Sequence, residues 1–290
     1  SLDDLKETCI ARKQQWIEDP SNQSDHYERA RFRKVLRSVL DEVQPARIDS
    51  LIANFRESRD YYAQATSRWI MRHVYVSTQF GFATCSALEF SRADPYIRAR
   101  ILARIIRFVH GKDASGKSKP EFVVTSQLNA DTLGIVARLG RGESSITVGG
   151  CWIFLDPPPK SKSTTPVSLV FCKQPPNKFQ RSTPLLPNSV LEYENTWKIE
   201  YGNGPPLQVR HLEKNDCAVL KEMYGNANYA DMRAKCPSDV ILSLPVICTP
   251  NDHIVAFPFI AGNHRQLAAL GISFQFQPSF DLIEDELVFQ

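Results

Sequence analysis

The chain has 290 residues, room for two domains at roughly 100–200 residues each. It is 42% hydrophobic and 23% charged with a formal net charge of +3, which excludes disordered, fibrous and collagen-like classes. No apolar run approaches the roughly 20 residues of a membrane-spanning helix, and the charged stretch after Ser1 does not read as a signal peptide.

In chain order, Ser1 with Asp4 three residues on reads as a helix cap, and Leu2, Leu5 and Cys9 share one face. Residues 19–22 form a turn. Ser24 then caps a helix with Tyr27, Val35, Leu36, Val39, Leu40 and Val43 on its apolar side. Pro45 opens a further helix running past Leu51, Phe55 and Tyr62 to about residue 74. Residues 75–90 read as irregular or short strands. Asp94-Pro95 starts a clear helix carrying Ile97, Ile101, Leu102, Ile105, Ile106 and Val109, stopped by Gly111. Asn129 caps another, to about residue 139.

The period then changes. Residues 145–155 and 167–172 are β-like, and 173–189, rich in proline, read as a linker and domain boundary. Beyond it come strands at 196–201 and 207–211, helices at 215–223 and 229–235, and strands at 240–248 and 253–260. The expected fold is α+β and multidomain: a mostly helical N-terminal half, then a mixed α/β domain with antiparallel strands.

Charge is uneven. Residues 1–120 carry 21 Lys/Arg against 15 Asp/Glu, and 121–290 carry 14 against 17, so the first stretch is the one suited to nucleic acid. Arg29, Arg33 and Arg37 share one helical side with Arg31 pointing elsewhere, a plausible seat for phosphate and equally a solvated face beside Asp25 and Glu28. Asp19 and Asn22 serve as turn formers or as part of that site. Arg98, Arg100, Arg104 and Arg107 lie opposite the isoleucines of their helix, as a plain polar face or an RNA contact. The seven cysteines form no C-x-x-C pair, the six histidines show no metal spacing, and no G-x-S-x-G elbow or phosphate loop occurs. Gly149-Gly150 falls inside a strand-like run, and Gly202-Asn203-Gly204 reads as a hairpin turn.

The run W-I-E-D-P-S-N from Trp16 to Asn22, followed by Tyr27, Arg29, Arg31, Phe32 and Arg33, resembles tRNA(Ile)-lysidine synthetase. Ala30 stands where that family commonly has Asn. D-P-Y-I-R-A-R-I-L at 94–102 is similar to its helical substrate-binding domain and T-V-G-G-C-W to that domain's end. The segments from Met232 through Val246 and at 254–258 are similar to its C-terminal module. The resemblance implies residues 1–43 as the tail of an ATP-pyrophosphatase domain, 44–172 as a tRNA-binding domain, 173–189 as linker and 190–290 as a C-terminal tRNA-recognition domain. It implies an ATP- and Mg²⁺-dependent ligation of lysine to C2 of the wobble cytidine through an adenylate, in the cytoplasm. The partners are tRNA(Ile), lysine and ATP, with no DNA and no membrane. Phosphate would be held by Asp19, Ser21, Asn22, Arg29, Arg31 and Arg33, and tRNA by Arg98, Arg100, Arg104, Arg233 and Lys235. The family's S-G-G-x-D-S loop is not in these 290 residues, so the expectation is a C-terminal portion, inactive alone. A non-catalytic RNA-binding adaptor and a protein-interaction scaffold remain alternatives.

Overall fold

A computed structural model describes residues 2–17, 28, 31–32, 45–110, 134–158, 166–174, 182–278 and 282. They fall into two compact units, Ser1–Arg59 and Asp60–Gln290. The fold is α+β: helices dominate the N-terminal half, and the sheets, all antiparallel, lie mostly beyond it.

In the first unit, α1 (Leu2–Ala11) leaves Leu5 65% exposed and Cys9 half-buried, so on its expected apolar face Leu5 is not buried. Glu28, Arg31 and Phe32 are helical, consistent with a helix there; the rest of that prediction lies outside the described residues. The helix α2 (Pro45–His73) exposes Leu51, Ile52 and Phe55 in this unit.

The second unit is organised by three sheets. The first has order β1-β2-β5-β4-β3, with β1 (Val74–Ser77), β2 (Phe82–Ser86), β3 (Ile146–Val148), β4 (Cys151–Asp156) and β5 (Ser168–Lys173). Between β2 and β3 come α3 (Ala87–Arg92), α4 (Pro95–His110) and α5 (Ile135–Gly140). The Asp94 carboxylate accepts the Tyr96 N–H at 2.9 Å, and Pro95 takes the first helical position, where its missing donor costs nothing. Ile101, Leu102, Ile105, Ile106 and Val109 are fully or almost fully buried, and α4 packs on β2, β4 and β5. Gly149 and Gly150, with φ of 58° and 80°, turn β3 into β4 rather than lying within one strand.

The second sheet, β11-β10-β9-β6, joins β6 (Thr183–Leu185), β9 (Leu207–His211), β10 (Pro245–Cys248) and β11 (Ile254–Ala256). The third, β12-β8-β7, joins β7 (Ser189–Tyr193), β8 (Trp197–Tyr201) and β12 (Ile272–Phe276). Because β8 and β9 belong to different sheets, Gly202–Gly204 is a crossover between sheets and not a hairpin. Four short helices complete the chain order: α6 (Asp216–Tyr224), α7 (Asn226–Lys235), α8 (Ser238–Ile241) and α9 (His264–Leu270). The third of these four, α8, occupies the start of the expected strand 240–248: residues 238–241 are helical after Pro237, and the strand begins only at Pro245.

Residues 173–189, expected as a linker, carry β6 and the start of β7, and the compact division falls after Arg59 instead. The reason is burial: Cys172, Leu185, Tyr193 and Ile199 belong to one continuous core with Ile101 and Phe171. Burial also holds two of the core thiols inert, pushing Cys85 and Cys248 each up to about 12.

Candidate nucleic-acid interface

Of the implied phosphate-binding residues, Arg31 is helical and exposed; Asp19, Ser21, Asn22, Arg29 and Arg33 lie outside the described residues.

The arginines of α4 are not a solvent-facing stripe. Arg98, Arg100 and Arg107 are half-buried and Arg104 is completely buried, its Nη1 donating to Ser67 Oγ at 2.8 Å. One side of α4 packs on the sheet while the other meets α2, where Thr66, Ser67 and Ile70 are also buried. Arg104 therefore corrects the expectation of an RNA contact. A guanidinium with no exposed surface is tied into the core and offers nothing to a phosphate. Arg98 and Arg100, nearer the helix start, keep part of their surface.

Arg233 and Lys235 are exposed on α7, and both have acidic neighbours. Lys235 Nζ is 2.7 Å from Asp231, one turn back. Arg233 donates to Ser238 Oγ and lies near Asp156. Burial and the nearby Asp239 charge raise the Asp156 pKa, with Arg233 pulling the other way.

A small cavity of about 140 Å³ opens beside Lys235, lined also by Gln79, Asp231, Phe259, Asn263 and His264. Asn263, 1% exposed, donates from Nδ2 to the Phe257 carbonyl at 2.9 Å. Tyr224 Oη accepts the Phe257 N–H at 3.0 Å and donates to Gln266 at 2.9 Å. These bonds fix the wall of the cavity from α6, α9 and the segment after β11.

A largely buried cluster of charged groups involves residues that the sequence did not single out. Glu194 Oε1 is 3.0 Å from His211 Nε2, and its Oε2 is 3.2 Å from Lys173 Nζ. The lysine also bonds the Glu194 carbonyl. One residue comes from each sheet: Lys173 ends β5, His211 ends β9, and Glu194 follows β7. Burial raises the Glu194 pKa, but His211 and Lys173 outweigh it and leave the carboxyl below its ordinary range. For Lys173 burial wins, and Glu194 only partly offsets the lowering. Glu194 and Asn195 both have positive φ, 51° and 58°, the backbone of a tight hairpin turn that normally selects Asn or Gly. A strand pattern on both sides of Glu194-Asn195 was the available signal.

Next to it, Arg210 clamps Asp216 through two bonds, 2.6 and 3.1 Å, and Asp252 through a third of 2.6 Å. The Asp216 bonds hold the Arg210 pKa above its ordinary value against burial, with Asp252 adding to them. The first cluster ties the ends of three sheets together, and the second ties β9 to the start of α6 and to the turn before β11.

Among the described residues, no three His, Cys, Asp or Glu side chains gather as a metal ligand set, and no helix is long and apolar enough to cross a membrane. No protein-family model matches the chain, and no curated protein matches it in sequence.

Proposed function

We propose that this chain is the tRNA-contacting part of a tRNA(Ile)-lysidine synthetase, working in the cytoplasm. The observation that carries the reading is the run W-I-E-D-P-S-N followed by Arg29, Arg31 and Arg33, with the similar segments after it in the same order. In this reading ATP with Mg²⁺ supplies the activation of the wobble cytidine. Arg31, exposed on a helix, is suited to an anion. Arg98, Arg100, Arg233 and Lys235, all with surface to offer, hold the tRNA backbone. Arg104 is left out, for the reason its burial gives.

The residues that bind lysine and the S-G-G-x-D-S loop are not among these 290. The chain alone, given ATP, lysine and tRNA(Ile), therefore binds the tRNA and forms no lysidine. A competition gel shift tests the reading: labelled tRNA(Ile) challenged with unlabelled tRNA(Ile) or with an unrelated elongator tRNA. Preference for tRNA(Ile) is the expected result. Equal competition by every tRNA favours the non-catalytic adaptor, and absence of binding refutes both.

A further inference from the structure

The second half of α2 carries an aromatic and basic stripe that none of the residues above explains. Tyr61 is 63% exposed and Tyr96, at the start of α4, is 71% exposed. The half-buried Tyr62 sits between them, its ring 5.5 Å from Tyr61 in an edge-on arrangement and 6.0 Å from Tyr96. Single exposed aromatics are common on soluble proteins; three in ring contact, two of them mostly in solvent, are not scattered singles.

Arginine continues the same face. Seven and eleven residues beyond Tyr61 stand Arg68 and Arg72, both exposed, at about 20° of Tyr61 around the helix and roughly 10 and 16 Å along it. No Asp or Glu occurs between Tyr61 and Leu88. Asp60 and Asp94 flank the tyrosines in sequence, and Asp94 is already engaged by the Tyr96 N–H. The face itself, positions 61, 64, 65, 68 and 72, carries two cations and no acid, which complements a phosphate backbone.

We infer that Tyr61, Tyr62 and Tyr96 form a stacking platform for unpaired RNA bases, with Arg68 and Arg72 holding the adjoining phosphates. Stacking on an aromatic face needs only a base freed from its helix, and arginines at this spacing suit a strand whose backbone runs along α2. Rings held by neighbouring rings and by a capped helix start lose little freedom on binding. The inference deepens the tRNA reading by naming single-stranded nucleotides as what this face takes.

The test is fluorescence anisotropy with two probes, short unstructured oligoadenylate RNA and a tRNA(Ile) transcript. The proteins are the wild-type chain, Tyr61→Ala/Tyr96→Ala, Tyr61→Phe/Tyr96→Phe and Arg68→Ala/Arg72→Ala. The Ala pair should weaken oligoadenylate binding about five- to a hundredfold, and the Phe pair should retain it. The arginine pair should flatten the salt dependence by about 0.7 per residue on a log–log plot. Far-UV circular dichroism checks that these surface variants fold. Unchanged oligoadenylate affinity in the Ala pair overturns the platform, as does equal loss in the Phe pair or failure of the wild type to bind the oligonucleotide. Oligoadenylate bound through the tyrosines with no binding of tRNA supports the platform and overturns the lysidine synthetase reading. Binding of tRNA unaffected by the Ala pair, with no oligoadenylate binding, does the reverse.

Discussion

Substituting Glu194→Gln isolates the charge that ties the three sheets together. Glutamine keeps the size of the side chain and an acceptor oxygen, but leaves the Lys173 ammonium without its counter-charge. At 3.2 Å and an effective dielectric of about 20, that attraction is worth about 5 kcal/mol. The side chains are 18% exposed at Lys173, 12% at Glu194 and 11% at His211, so water relieves only part of the loss. A remaining acceptor and the lysine's ability to shed its proton relieve more, which leaves a destabilisation of about 2–4 kcal/mol. For a unit of this size that lowers Tm by roughly 5–15 °C. Urea unfolding followed by circular dichroism reads it as a fall in midpoint at constant slope. The double variant Glu194→Gln/Lys173→Met should recover part of the loss, because the unpaired charge is gone. A single variant within about 0.5 kcal/mol of wild type, or a double variant that is additive, would refute the junction as a stabilising element.

The same junction sets a pH dependence. The Glu194 pKa is lowered on folding, so its contribution is complete above the unfolded carboxyl value of about 4.3 and fades as pH falls through the folded one; the stability advantage of wild type over Glu194→Gln, read by urea unfolding at a series of pH values, should hold above about 4.3 and shrink below it. The Lys173 pKa is also lowered, which means the unfolded chain binds more protons, so wild-type stability should rise with pH on approaching about 10.4, and more steeply in Glu194→Gln. Arg104→Ala removes a core hydrogen bond and leaves a cavity, costing about 3 kcal/mol or giving insoluble protein, with solubility and melting temperature as the readout. Gly81→Ala should cost about 2–4 kcal/mol in the same melt, since Gly81 has φ of 64° and a Cβ there would stand 2.9 Å from Trp197 Cζ2 and 3.0 Å from Phe276.

Elements fixed by local chemistry were readable in the sequence. Asp94-Pro95 and the isoleucines one turn apart specify α4, and the runs over β4, β5, β8 and β9 alternate or fill as strands should. What α4 packs against is a tertiary matter, and for that reason Arg104 looked like surface. The strand β6 is three residues long and contains Pro184, tolerated because β6 is an edge strand, so a proline-rich linker was the natural expectation. The residues at 238–241 are partly β-branched, and their helix follows from the Pro237 start instead of from propensity. Lys173, Glu194 and His211 meet only because three sheets converge, which no local pattern announces. The tyrosine platform is similar: Tyr61 and Tyr96 are far apart in sequence and become one surface through the α2–α4 packing.

The most direct measurement is a filter-binding titration of tRNA(Ile) with this chain at two salt concentrations. The account predicts saturable binding whose affinity falls as salt rises, with a log–log slope that reports several released counterions. No binding at low salt, or binding indifferent to salt, would contradict it.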